Sequence, residues 1–598
     1  MPLIEVVRAY KFTLTPTDAQ REDLARHAGA CRWAYNYAIA RKQAAHRAWT
    51  EMRQAHQVAG LDDAQAEALI KQAGSGLTDS ITVWDHHRKM LMCLKTGKPV
   101  PQTAADFTPP AGQEVLYGRL VAARTAADAG ALRAALAEAR GAVNALKAQA
   151  FAAGFRVPNA MDMAALWRTE RDRPREEGGS PWWGEVNVYA FTTGFDRAER
   201  AWKNWLDSCS GKRSGRRVGY PRFKRKGRAA DSFALYHDVK KPTLRPDGYR
   251  RLALSTLGSI RTCESSKWLV RLIDRGTARI NSVTISRGAH RWYASVLVTL
   301  QQDVPVLWEH TATDGTRSSY LSADEAYAAA KVSGGGTVMQ HGQPTRRQRT
   351  GGLVGADLGS RHLAVLTSRL DHTDPASTVV AHPRHLKAGM DRLVKAQKQL
   401  SRTTKGSRRR QRAADRVARL HHAIKLRRAT SIHGLTKALV TRFDMVAIED
   451  LSLVQLTRTP RGTVADPGKN VKVKALFDRH LLDASLGEVR RQLTYKSRWY
   501  GSRLIVIDQG TPVASTCAKC GERNPSSKPG QAKFHCISCG HAVDRHENSA
   551  SNIMKAARRQ IAAVASGKGE TQNARRAPVS PSAPRGAGRG TLKREGTI

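Results

Sequence analysis

The chain has 598 residues, several domains' worth, and 41% of them are hydrophobic, so sizeable cores are available. No run of about 18 uncharged apolar residues occurs, which excludes a helical membrane span. The N-terminal MPLIEVVRAYKF lacks the order of a secretory leader, and eight cysteines are too few for a disulfide framework, so a cytoplasmic, reducing location is expected. Against 51 Asp and Glu stand 99 Lys and Arg, a net charge of +48 that calls for a polyanionic partner, nucleic acid first among them.

In chain order, the first sixteen residues alternate as a strand does, with Val7, Ala9, Lys11 and Thr13 on one side and Arg8, Tyr10 and Phe12 on the other. Thr17 or Asp18 then caps a helix whose stripe runs through Leu24, Ala28, Cys31, Tyr35 and Ile39. Helix formers continue, with Leu132, Leu136, Val143 and Leu146 on one stripe and a Pro-containing connection at 98–113, which predicts a largely α lobe over residues 17–207. β-type segments return at Ser282–Ser286 and Trp292–Leu300. Pairing of this section, 208–308, with the N-terminal strand would form one small barrel interrupted by the helical lobe. Residues 309–350 are polar and Gly-rich and read as an insertion or linker. Beyond them VGADLGSRHLAVLTS and STVVAH supply three short strands, long helices follow, and FDMVAIED and SRLIVIDQG read as buried strands, the pattern of an α/β sheet.

The positive charge is concentrated. From Lys212 to Arg228 nine of seventeen residues are basic. Lys212, Arg213, Arg216, Arg217, Arg222, Lys224, Arg225 and Lys226 are interleaved there with Tyr220 and Phe223, a combination that offers phosphate neutralisation and faces for base stacking. A second basic region contains Arg408, Arg409, Arg412 and Arg416 on a helix whose Val417, Leu420 and Ile424 should pack inward. A third, Ser566 to Ile598, is a Gly-, Pro-, Ser- and Arg-rich tail expected to be disordered.

Cys517, Cys520, Cys536 and Cys539 form C-x2-C-x15-C-x2-C, each pair followed at once by a glycine. Such pairs bind one ion from tight knuckles, and four thiolates close a tetrahedron, so a structural zinc is expected. Two carboxylates end apolar strands: Asp357 in VGADLGS and Glu449 in MVAIED. Buried carboxylates are costly unless hydrogen-bonded or bound to a cation such as magnesium, and the pair suggests a metal-assisted phosphodiester site. The bland alternative is an acidic strand exit capping the next loop.

The order Asp357, Glu449, four zinc cysteines and DRHENSASNI resembles the RuvC-like domain of TnpB transposon proteins and type V CRISPR effectors. AYKFTLTPTDAQ, YPRFKRKGRAADSF and DASLGEVRRQLTYKSRWYG extend the resemblance over most of the chain outside about 51–185, 309–350 and the tail. It implies a multidomain α+β protein. A wedge domain would comprise 1–16 and 208–308, and a helical recognition lobe 17–207. An RNase H-like (RuvC) α/β domain would comprise 351–510 and 544–563, with a zinc-ribbon target-nucleic-acid-binding insert at 511–543 and a basic tail at 564–598. In the family motif Asp-Arg-Asp-x-Asn the second Asp completes the metal site, whereas this chain reads Asp544, Arg545, His546, Glu547, Asn548. His546 thus stands in the third place of a degenerate triad with Asp357 and Glu449. A neutral imidazole cannot bridge two magnesium ions as a carboxylate does, so at most one is expected. Asp544 and Glu547 are spaced as a helix N-cap and its partner, and the helix terminus should keep His546 neutral.

Among type V effectors the nuclease-deficient subtype V-M is the nearest resemblance. It implies one protein chain with a CRISPR guide RNA in a bacterial cytoplasm, binding double-stranded DNA beside a flanking motif, forming an RNA–DNA heteroduplex and silencing by occupancy, with guide processing also possible in principle. An active RNA-guided endonuclease and a guide-independent zinc-ribbon nucleic-acid binder remain open beside it.

Overall fold

The computed structural model describes residues 3–125, 129–213, 215–238, 242–288, 291–313, 317–371, 374–458, 468–508, 510–524 and 531–565. The basic tail from Ser566 lies outside them. The described residues form two compact units, one within 7–300 and the other made of those within 1–6 and 301–598. Among these residues no helix is long and apolar enough to cross a membrane.

In the first unit the helix Asp18–Val58 starts at Thr17, whose side chain accepts from Gln20 N–H in a capping box, and it buries Leu24, Ala28, Cys31, Tyr35 and Ile39 as the periodicity requires. It packs against the helix Val188–Cys209. They approach closely at Gly194, where an added Cβ would run into the backbone of Cys31 and Tyr35. The strand Leu3–Thr15 joins a sheet of order Ser232–Tyr236, Ala278–Arg287, Trp292–Thr311, Leu3–Thr15, Gly258–Thr262, Arg251–Leu254, Leu244–Pro246.

That sheet is open, which corrects the expected barrel. At one edge, Ala234 N–H donates to Thr193 Oγ1 (3.1 Å), Thr193 Oγ1 donates back to Ala234 O (3.2 Å), and Arg197 donates to Ser232 O (2.7 Å). Side chains of the helix Val188–Cys209 therefore satisfy the outward backbone groups that barrel closure would have used. The opposite edge strand has three residues and ends in Pro246, which has no N–H to donate.

In the second unit the stretch read as a linker carries ordered elements. Strands Arg317–Tyr320 and Thr337–Gly342 flank the end of Trp292–Thr311, with the helix Ala323–Val332 between them. Beyond it lies a five-stranded sheet whose order, counted along the chain, is third, second, first, fourth, fifth: Val379–Ala381, His362–Leu366, Leu353–Asp357, Met445–Glu449, Arg503–Ile507. The first three pair antiparallel and the last two join parallel. Val354, Ala356, Val446 and Ile448 pack on Ile432, Leu435 and Leu439 of the helix Arg408–Arg442 and on Val489 and Leu493 of the helix Leu486–Tyr500. Ala447 and Ile507 face the opposite way, toward Ile553 and Ala557 of the helix Arg545–Ala565. The sheet is thus covered on both faces, as its near-continuous apolar runs demand.

Gly355 lets the last helix lie directly on the first strand, because an added Cβ would fall well inside contact distance of Ala550 O and Met554. Gly355→Ala is expected to destabilise this unit by about 1–3 kcal/mol through overpacking. A lowered thermal midpoint in a melt followed by circular dichroism checks this.

Candidate functional site

The parallel register pairs Ala356 with Ile448, so the next residues, Asp357 and Glu449, stand side by side at the carboxyl ends of neighbouring strands. At a strand spacing of about 4.8 Å two carboxylates repel. Burial, then Asp357 and Asp450, push the Glu449 carboxyl above the ordinary range. A cation between the two strand ends would relieve that repulsion, so the donor chemistry fits magnesium.

The third sequence-predicted residue arrives from the helix Arg545–Ala565. His546 Nδ1–H donates to Asp357 Oδ2 at 2.7 Å. This bond, with the Asp357 charge, raises the His546 pKa, opposite in direction to the shift expected from the helix terminus. A direct carboxylate partner outweighs a partial terminal charge. His362 sets its ring edge-on to His546, with centroids 5.7 Å apart. Burial and the His546 charge lower its pKa.

Asp544 serves as the helix cap, its Oδ1 accepting from His546 N–H at 2.8 Å, while Glu547 is exposed. Asp357, Glu449 and His546 do not gather their ligand atoms as the four cysteines do. Among the described residues only those cysteines form a set of three or more His, Cys, Asp or Glu ligand atoms all within 4.8 Å of one another.

Three residues near this site escaped the sequence reading. Asp450 follows Glu449 directly and pairs with Arg490. Asp508 follows the strand ending at Ile507, the register partner of Glu449, and a third apolar run ending in Asp was the available signal. His362 carried no signal, since only the antiparallel pairing of Asp357 with Val365 brings its strand to the site.

The cysteine cluster is a closed knuckle. Cys517 and Cys539 sulfurs lie 3.7 Å apart and Cys520 and Cys536 sulfurs 3.6 Å, without disulfides. Zinc–thiolate bonds of about 2.3 Å give a tetrahedral edge of about 3.8 Å, so the four sulfurs fit that ion. Gly521 (φ +84°) and Gly540 (φ +69°) take left-handed turns that side chains avoid, and their N–H groups donate to Cys517 O and Cys536 O.

Of the basic positions, Lys212, Arg213, Arg216, Arg217, Arg222, Arg225 and Lys226 are exposed, as is Phe223. Lys224 is committed internally. Its ammonium sits 3.7 Å from the Tyr35 ring centroid, and its backbone N–H and C=O both bond the Asn36 amide. Tyr220 packs one side edge-on to Trp205, at 4.8 Å between centroids, and leaves 39% of itself exposed. Arg408, Arg409, Arg412 and Arg416 point outward, Ile424 is buried, and Val417 and Leu420 are half-buried. Arg428 instead forks onto buried Asp483, at 2.7 Å and 3.1 Å.

Sequence profiles match three segments: OrfB_IS605, "Probable transposase", over residues 337–459; a helix-turn-helix domain of the same group over 1–50; and a Cas12f1-like TNB domain over 487–553. In the second segment the described residues form one strand and one continuous helix rather than a helix-turn-helix. The Mycobacterium tuberculosis protein named "Putative RNA-guided DNA endonuclease MT2953" is 30% identical over 403 residues, spanning 67% of this chain and 75% of that protein.

The chain belongs to this TnpB-like family.

A second TnpB-like relative, Escherichia coli "Putative RNA-guided DNA endonuclease InsQ", is 27% identical over 358 residues, covering 60% of this chain and 71% of that one. A Cas12f1–sgRNA–target DNA structure aligns over 92% of this chain and 99% of its own at 10% identity and a TM-score of 0.39, too loose a likeness to carry argument. Within this TnpB-like chain the Cas12f1-like TNB match spans both the cysteine cluster and His546.

Proposed function

We propose that this chain is an RNA-guided double-stranded DNA-binding protein, of the type V kind nearest subtype V-M, that holds its target without cutting it. The observation that carries this reading is the 2.7 Å hydrogen bond from His546 to Asp357. A two-metal phosphodiester site needs carboxylates that bridge and neutralise the ions. Here the third position supplies a hydrogen-bond donor that occupies a carboxylate oxygen instead. Asp357 and Glu449 would hold a single magnesium, which when bound would neutralise the paired carboxylates and attract a phosphate. The chain's own residues then retain nucleic acid: exposed arginines meet phosphates, Phe223 and Tyr220 offer faces to bases, and base pairing with the guide supplies sequence.

Incubating the reconstituted guide complex with end-labelled target and magnesium tests this. Tight binding with intact strands is expected, and rapid double-strand breaks would sink it. Sequencing the RNA that copurifies separates a guided protein, with one uniform species, from a guide-independent binder. A cutting enzyme is the second reading, favoured by the relatives' names and by Asp508 at the neighbouring strand end. It predicts cleavage that Asp357→Ala abolishes.

The outward arginines make a further expected result. Replacing Arg408, Arg409, Arg412 and Arg416 together by Ala should lower the slope of log affinity against log salt by about 3, at about 0.7–0.9 per lost phosphate contact. Titrations between 50 and 200 mM salt would measure it.

A further inference from the structure

The helix Arg545–Ala565 carries Asn548 and Asn552 one turn apart, and both reach back to the segment around Cys517. Asn548 is 1% exposed and uses both ends of its amide there. Its Oδ1 accepts from Ala518 N–H at 2.8 Å, and its Nδ2 donates to Thr516 O at 2.7 Å. Asn552 donates to Val513 O at 2.9 Å and to the same Thr516 O at 2.7 Å. Thr516 and Ala518 flank the ligand Cys517, and His546 lies two residues before Asn548 on the same turn.

The other half of the knuckle is tied to that turn as well. The strand Ala542–Asp544 runs straight into the helix, and Arg545 N–H donates to Ala532 O at 3.1 Å. Lys555 Nζ of the same helix also donates to Ala518 O, and inside the knuckle Phe534 packs with Cys517 and Cys536 while Asn524 Nδ2 donates to His535 O at 2.7 Å. The regular structure of the knuckle is small. Its described residues form a two-stranded hairpin of three pairs and one isolated bridge, Thr516 to Arg523. Such a segment depends on its ion for order. A buried carboxamide that satisfies one N–H and one C=O beside a ligand passes that order to whatever it is attached to.

We propose that Asn548 is a positioning residue that makes the aim of His546 at Asp357 dependent on zinc in the Cys517, Cys520, Cys536, Cys539 knuckle. The proposal rests on reading the knuckle as a zinc site. With the ion present, Ala518 and Thr516 are held where the Asn548 amide spans both, and the first turn of the helix keeps its place over the strand ending at Asp357. Without it, the amide loses fixed partners and the turn is released.

The test uses the full chain, zinc-loaded and chelator-stripped, with hydrogen exchange read in peptides covering 513–524 and 545–552 and zinc affinity read by competition with a chromogenic chelator. In the native chain stripping should raise exchange in both peptides. Asn548→Ala should weaken zinc binding by about 10-fold or more. At saturating zinc its 545–552 peptide should already exchange fast and no longer respond to stripping. Asn552→Ala cuts a bond to the same carbonyl from one turn further along, and it should leave 545–552 zinc-responsive. This control separates coupling from general loosening, including misfolding of the first variant. Native zinc affinity in Asn548→Ala, a persisting zinc response at 545–552 in that variant, or identical behaviour of the two variants would each overturn the proposal. A native chain that takes up no zinc would overturn the knuckle reading itself, before any variant is compared, and the proposal with it.

Discussion

His546→Asp is expected to switch on magnesium-dependent cleavage of a guide-matched duplex that the native chain leaves intact, raising the rate by at least about 10²-fold, the scale on which one transition-state-stabilising group acts. The substitution does two things at once. It frees Asp357 Oδ2 from the imidazole, and it supplies a third carboxylate from a helix turn that already points at the strand ends. The Asp544 cap remains, because it bonds the backbone N–H of residue 546 and not its side chain. His546→Asn provides the control. It removes the imidazole without adding charge and should leave the target uncut. Adding Asp357→Ala to His546→Asp should abolish the acquired cleavage while target binding persists. If His546→Asp binds the guide complex and target normally and still leaves both strands intact under magnesium, the degenerate-site reading fails at its centre. If the native chain cuts at the rate of the variant, it fails equally.

Cys536→Ser is expected to have the other large effect, the loss of bound zinc and of order in about 513–524 and 531–544. Cys536 is 1% exposed, its sulfur is 3.6 Å from that of Cys520, and its N–H donates to His541 O at the hairpin that runs into the helix. Three thiolates leave the tetrahedron open, and the binding energy of a structural zinc is folding energy for so small a segment. Zinc content by atomic emission should fall from about one per chain to near zero, since a closed structural site needs all four ligands. Limited proteolysis should then cut within the knuckle. Retention of a full equivalent of zinc by Cys536→Ser would show that the four cysteines do not act as one site.

Several elements of the molecule were legible in the residue order because their causes are local. The helix beginning at Thr17 follows from a capping box and a 3.6-residue stripe, and all five of its expected core residues are buried. The cysteine spacing already implied a knuckle, since two residues between thiols and a following glycine define a tight turn whatever surrounds it. The apolar strands ending in Asp357 and Glu449 were legible too, because near-continuous hydrophobic runs with a terminal carboxylate stand out without a partner. What misled the reading was non-local. The alternating β segments satisfied the pattern of a barrel, but closure depends on what meets the edge, and Thr193 and Arg197 had already taken the outward groups of Ser232 and Ala234. Residues 309–350 read as an insertion or linker because their polarity is high, and composition does not reveal the antiparallel pairing to Val306–Thr311 that gives the backbone groups of 317–320 and 337–342 their partners.

By itself the sequence determined the charge excess, the thiolate spacing, the strand-terminal carboxylates and the substitution of His546 for an acidic residue. Those are properties of residue type and short-range spacing. Only the tertiary structure decided how the charges and ligands are spent. It turned Lys224 inward onto Tyr35 while leaving its neighbours exposed, and it set Arg428 on Asp483 while Arg408, Arg409, Arg412 and Arg416 face outward. Above all it placed the His546 ring against Asp357, a partner 189 residues away. Protonation and ligand availability depend on the nearest charge in space. Among groups so far apart in the chain, packing alone chooses that neighbour.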